Sequence, residues 1–228
     1  MKVELLAYTP DPEGTVAAAA RICYSERGAV DLKEDMSREE VNSLLKKLIS
    51  VGHLSPAEHA AFTFAIEGVS RSLSHQLVRH RIASYSQKSQ RYVNEKNFSY
   101  VIPPTIEADP EARALFERVM EELRESYRLL SGIVPREDAR YLLPNAAETK
   151  LVCTMNARSL YNFFRMRCCR RAQWEIRKLA LEMRAQVRRV APVLFASAGP
   201  SCETEGICWE GESSCGKAKD VRCRGGGA

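Results

Sequence analysis

Residues 61–92 read AFTFAIEGVSRSLSHQLVRHRIASYSQKSQRY, and three patterns follow one another in them. Phe62, Phe64 and Ile66 alternate with Ala61, Thr63 and Ala65, the period of a strand with one heavily apolar face. Ser70 is a good N-cap, and a helix is expected from it to about His80. On such a helix Gln76 and Arg79 lie three apart, on one side. Arg79-His80-Arg81, seven further residues, Ser89 and then Arg91 leave the helix as a polar loop ending near Tyr92. Fixed guanidinium donors, an imidazole, hydroxyls and amides at this density suit a phosphate-bearing ligand. A basic helix end favoured by the helix dipole would also collect arginine. The interleaving with Ser, Gln and Tyr favours the ligand.

Outward from this stretch the chain alternates few strands with several helices. Residues 3–8 are expected as a strand and 11–24 as an Ala-rich helix. Ser37 with Glu40 forms a capping box for a helix whose Val41, Leu44, Leu45 and Leu48 share a face, stopped by Gly52. Leu115, Phe116, Val119, Met120, Leu123 and Tyr127 mark a long amphipathic helix over 111–130. A short helix follows Pro135 as far as Arg140, a strand 148–155, and helices 157–168 and 171–190. The strands are not separated by single helices in regular alternation, which speaks against a doubly wound parallel sheet. The fold expected is α/β, of the α+β type: a small central sheet flanked by several long helices.

The 228 residues suffice for a sizeable core without staples. Apolar residues make up 45% and charged residues 28%, ordinary proportions for a globular protein. No apolar run is long enough for a bilayer, and the N-terminus lacks a secretory core, so a cytoplasmic location is expected. The net charge of +5 is compatible with nucleic acid or with an anionic small molecule, and composition does not choose between them.

Four segments together resemble the flavin-dependent thymidylate synthases. Arg79-His80-Arg81 with Ser89 is similar to that family's signature. His53-Leu54-Ser55-Pro56-Ala57-Glu58-His59, Asn156-Ala157-Arg158-Ser159-Leu160, and Arg167 with Ala172-Gln173-Trp174-Glu175-Ile176 resemble three further family segments, in the family's order. The resemblance covers roughly residues 1–195 and implies the thymidylate synthase-complementing fold. It also implies reductive methylation of dUMP to dTMP. Methylenetetrahydrofolate would supply the carbon, reduced FAD the hydride, and NADPH the electrons that restore the flavin. All four ligands are anionic, which accounts for an arginine-rich site without nucleic acid or membrane. Ser55, Arg79, His80, Arg81, Gln87, Asn156, Arg158 and Asn162 would contact FAD. Gln76, Arg79, Gln87, Ser89, Arg91, Arg140 and Arg167 would hold dUMP. Arg167 would be the catalytic residue, its cation favouring ionised N3 of the uracil. The family further implies a homotetramer with FAD shared between subunits.

Arg158 and Asn162 are four apart, so a helix presents both to one ligand. His53 and Glu58 can be chemical or structural. Gln87 stands where many members carry Glu, and Arg171 where some carry His, so charge or proton transfer at those two positions is lost. No metal site is expected in the catalytic domain, taken as residues 1–198. Residues 199–228 form a Gly/Cys-rich tail, expected without regular structure, whose Cys202, Cys208, Cys215 and Cys223 leave three readings: a soft-metal site, disulfides or free thiols. Cys23 and Cys153 are expected to pack as small hydrophobes.

Overall fold

The alternating stretch after Ala60 is a strand and runs four residues beyond Ile66, to Ser70. In the computed structural model, which describes residues 1–223, it is the second strand of a mixed chain. The order opens with β1 (Lys2–Tyr8), α1 (Pro12–Arg21), α2 (Ala29–Asp35), α3 (Arg38–Ser50), β2 (Ala61–Ser70) and α4 (Arg71–Leu77). It continues with β3 (Ser84–Gln87), α5 (Pro104–Glu107), α6 (Pro110–Leu130), α7 (Arg136–Ala139) and β4 (Glu148–Asn156). It closes with α8 (Ala157–Arg167), α9 (Trp174–Val190), α10 (Ser201–Thr204), β5 (Ile207–Cys208) and β6 (Asp220–Val221). The main sheet has the order β1-β2-β4-β3. The architecture is the α/β one expected, a small sheet with several long helices.

Two compact units interleave along the sequence. The first takes Met1–Lys2, Ile66–Arg79 and Tyr85–Val152; the second takes Val3–Ala65, His80–Ser84 and the residues from Cys153 onward. In the first, α6 is capped by Asp109, whose side chain accepts from two backbone N–H groups, with Pro110 at the first helical position. Its buried Met120 joins Phe98 and Ala147, with Phe116, Val119, Leu123 and Tyr100 packed around them. The Arg124 guanidinium lies 5.3 Å from the Phe98 ring and 5.5 Å from that of Tyr100, and donates to the Phe98 carbonyl at 2.7 Å.

In the second unit α1 packs on α2, α3 and the 3-10 turn Ser55–His59, while α8 packs on α9 and the same turn. Phe195 centres an aromatic core, with the rings of Phe62, Tyr161 and Phe164 at 5.2, 5.8 and 6.2 Å. Two charged side chains hold the segment that carries Phe195. Glu13, only 1% exposed, accepts from the backbone N–H of Val193 at 2.7 Å and of Leu194 at 2.9 Å, and Arg38 pairs with it. Arg188 donates to the carbonyls of Phe195, Ala196 and Ala198, each at 3.0 Å.

Several elements differ from the sequence expectation. α4 ends at Leu77, where the Tyr85 hydroxyl donates to the Leu77 carbonyl at 2.9 Å and satisfies a terminal acceptor. Arg79 therefore lies beyond the helix and does not share its face with Gln76. The loop is not wholly irregular, since β3 pairs at the sheet edge. α9 starts at Trp174 rather than 171 because the Gln173 side chain accepts from Glu175 and Ile176 and sets the first turn. Cys153 is buried, but Cys23 is exposed in a 3-10 turn with no buried residue.

Residues 201–223 also carry regular structure, contrary to expectation. β5 and β6 pair in parallel, with Ile207 opposite Asp220 and Cys208 opposite Val221. Glu203 ties this region down through Arg184 at 3.0 Å and Lys217 at 2.6 Å. Backbone pairing and charge do this, and a composition of Gly, Ser and Cys does not report either. Among the described residues no helix is long and apolar enough to cross a membrane.

Glu13→Ala leaves two backbone N–H groups and Arg38 without their acceptor. A loss on the order of 3 kcal/mol in denaturant unfolding is expected. A midpoint within error of the parent would show that this carboxylate does not hold the 193–194 segment.

Candidate active site

α8 begins where the Asn156 side chain accepts from the Ser159 N–H at 2.9 Å, so Asn156 serves as an N-cap whatever else it contacts. The backbone N–H of Ala157 donates to Ala60 at 2.8 Å, which fixes the helix start beside the chain entering β2. Phe163 and Phe164 are fully buried on one side of α8. The other side carries Arg158 and Asn162, and the last residue is Arg167.

Arg167 meets His80. Its Nε donates to His80 Nε2 at 3.1 Å, and the His80 ring stands edge-on to Phe163, with centroids 4.9 Å apart at 86°. An Nε2 that accepts is unprotonated, so this network assigns the imidazole proton to Nδ1. Burial, and after it the Arg167 charge, pushes the His80 pKa from 6.5 down to about 4. His80 is therefore neutral across the physiological range and acts here as an acceptor. It can orient a guanidinium without competing for the anion that the guanidinium attracts.

Arg158 pairs with Glu58 at 2.5 Å, which gives Glu58 a definite structural partner. Arg158 and Asn162 do line one cavity, as their spacing predicts. It holds about 760 Å³ and is also lined by Lys46, Leu54, Tyr161 and Arg165. Cations, an amide and apolar walls in a cavity of this size make a donor set that fits a phosphate-linked dinucleotide such as FAD. Ser55 is exposed in the turn next to Leu54. Arg79 and Arg81 are exposed, and neither makes an ion pair among the described residues. Lys46 and Arg165 escape sequence reasoning because each looks like an ordinary helix charge until the fold gathers them.

The first unit holds the other candidates. Gln87, on β3, donates to Thr149 Oγ1 at 3.1 Å. Ser89 Oγ accepts from the Arg91 N–H at 3.2 Å, and the preceding Lys88 pairs with buried Glu95 at 2.8 Å. Arg91 is held by Glu137, Nε at 2.9 Å and Nη2 at 2.7 Å, while Arg140 Nε donates to the Glu137 carbonyl at 3.0 Å. The structure thus brings Ser89, Arg91 and Arg140 into one neighbourhood. Gln76 spends its Nε2 on the Ser72 carbonyl at 3.5 Å. The Tyr85 hydroxyl is engaged with the Leu77 carbonyl, while Tyr92 is 74% exposed.

All eight cysteines are free thiols in the structure, and no group of three or more His, Cys, Asp or Glu is placed to hold a metal among the described residues. Burial pushes the Cys168 thiol up to about 11, which leaves it unreactive at neutral pH.

A fold of this class with two arginine-bearing groups, one around a neutral imidazole and one on a Ser-Arg loop, offers fixed guanidinium donors of the kind that suit anionic ligands. Comparison with known proteins makes the class specific. Residues 4–193 match the family described as Thymidylate synthase complementing protein. A flavin-dependent thymidylate synthase of Geobacter sulfurreducens is 55% identical over 225 residues, covering 97% of each chain. One of Clostridium tetani is 53% identical over 239 residues, covering 97% of this chain and 96% of the relative. A third, of Nitratidesulfovibrio vulgaris, is 48% identical over 231 residues. The chain belongs to the flavin-dependent thymidylate synthase family.

An NMR titration should find His80 with a pKa near 4, and Arg167→Ala should move it upward, since that removes the neighbouring charge while burial remains. His80 costs the fold nothing above about pH 6.5 and weakens it progressively as pH falls toward 4, because only the unfolded chain takes the proton in that window. A titration near 6.5 would contradict the buried, neutral assignment.

Proposed function

We propose that this chain performs its family's reaction with Arg167 as the residue that activates the nucleotide. The reaction is the reductive methylation of dUMP to dTMP, with methylenetetrahydrofolate as carbon donor and NADPH reducing the flavin. Reduced FAD, when bound, supplies the hydride.

The observation that carries the assignment of Arg167 is its hydrogen bond to neutral His80. Anchored through Nε, the guanidinium is held in one orientation. Such a fixed cation stabilises negative charge on the uracil ring, favouring ionised N3 and raising electron density at C5. Ser89 and Arg91 supply a hydroxyl and a guanidinium to the dUMP phosphate, and Arg140 adds a second guanidinium beside them. Gln76, Arg79 and Gln87 complete the nucleotide set. Arg158 and Asn162, from the cavity wall, hold FAD together with Ser55, Arg79, His80, Arg81, Gln87 and Asn156.

A homotetramer with FAD shared between subunits, as the family implies, is the assembly that goes with this reading. Residues 1–198 form the catalytic domain and 199–228 a C-terminal tail. The cytoplasm, where its nucleotide and folate substrates would be met, is the compartment that goes with this reading.

The purified protein should be yellow and should release tritium from C5-labelled dUMP when folate and NADPH are present. Arg167→Ala should lower turnover on the order of a hundredfold or more while FAD stays bound. Turnover near that of the parent would remove Arg167 from the chemistry.

A further inference from the structure

Glu137 contacts both guanidinium groups that the proposed function gives to the dUMP phosphate neighbourhood. Its carboxylate Oε2 accepts from Arg91 Nε at 2.9 Å and lies 2.7 Å from Arg91 Nη2. Its backbone carbonyl accepts from Arg140 Nε at 3.0 Å. One residue therefore gathers the two cations, and its single carboxylate oxygen takes the place on Arg91 that a phosphate oxygen would take. The neighbouring Arg136 donates to the Tyr92 carbonyl at 3.0 Å, so the 91–92 backbone is fastened to α7 independently of the Glu137 carboxylate.

We propose that the Glu137 carboxylate is a resident surrogate anion on Arg91, exchanged for the nucleotide phosphate when substrate binds. This inference rests on the reading of Arg91 as a dUMP phosphate ligand. The physical argument is competition. Arg91 has one planar fork of donors, and while Oε2 occupies Nε and Nη2 a phosphate cannot take that face. The pair is half exposed, 50% for Arg91 and 49% for Glu137, so it holds weakly enough to exchange. Glu137 keeps the guanidinium oriented between turnovers. It also raises the threshold for weaker anions, because any ligand must displace a carboxylate already in place and then sit near its charge. A phosphate dianion meets that requirement better than a monoanion, while a neutral nucleoside, which does not compete for this face, is unaffected by the carboxylate.

The test is calorimetric binding of dUMP and of deoxyuridine to the FAD-loaded enzyme. In Glu137→Gln the amide removes the charge and keeps the shape. The dUMP Kd should fall about two- to fivefold, the size set by a half-exposed ion pair, with deoxyuridine binding unchanged. Inorganic phosphate should compete against dUMP more strongly by a similar factor. A dUMP Kd that is unchanged or raised in Glu137→Gln would overturn the proposal. Arg91→Ala separates this from the reading beneath it. If Arg91→Ala weakens dUMP and spares deoxyuridine while Glu137→Gln does not tighten dUMP, only the surrogate-anion proposal fails. If Arg91→Ala leaves dUMP binding untouched, Arg91 is no phosphate ligand and both fail.

Discussion

The hydrogen bond from Arg167 Nε to His80 Nε2 is the interaction on which the proposed chemistry depends. Without a hydrogen-bond acceptor a partly buried guanidinium sits badly, and a second cation beside it would be repelled. A carboxylate would anchor it but would also neutralise it. A neutral imidazole avoids both faults, since it accepts one hydrogen bond and leaves the positive charge intact. Burial keeps His80 in that state, and Phe163 edge-on to its ring supplies part of the apolar surroundings. The other arginine group follows a different rule. Arg91 is exposed and is balanced by a carboxylate, which suits the exchange proposed for it.

The framework of the second unit keeps α8 in place at its start and along its length. At its start Asn156 caps the helix and the Ala157 N–H reaches Ala60. Along its length Phe163 and Phe164 are buried, with Phe164 against Phe195. Phe195 stays where it is because Glu13 and Arg188 satisfy the polar backbone groups of its own segment. A buried carboxylate on α1 thus supports, through packed aromatic rings, the helix that ends in Arg167. Such a chain of contacts explains why a polar residue distant in sequence from the site is worth burying at all.

Much of this was legible before the structure. The capping box at Ser37, the alternation in β2 and the amphipathic face of α6 are local patterns, and each element formed where its pattern lies. The four segments that resemble the family were legible because their residues and order carry its signature. What escaped was decided by contacts between residues far apart in the chain. The early end of α4 depends on Tyr85, eight residues further on. β3 is a short polar edge strand with no apolar period to announce it. The order in residues 201–223 comes from backbone pairing and from Glu203 reaching Arg184 and Lys217. Glu58 on Arg158 and Glu137 on Arg91 belong to the same class: an acidic residue in a short helical segment has no local mark that says which cation it will meet.

The central claim is that His80 acts through Arg167 by fixing its guanidinium. A double-mutant cycle on turnover tests it most directly, with His80→Ala, Arg167→Ala and the double variant compared at saturating FAD and dUMP. Residues that act as one unit give strongly non-additive losses, so the double variant should be little worse than Arg167→Ala, with a coupling of about 1 kcal/mol or more. Additive losses, within about 0.5 kcal/mol, would contradict the account and leave the two residues with separate tasks.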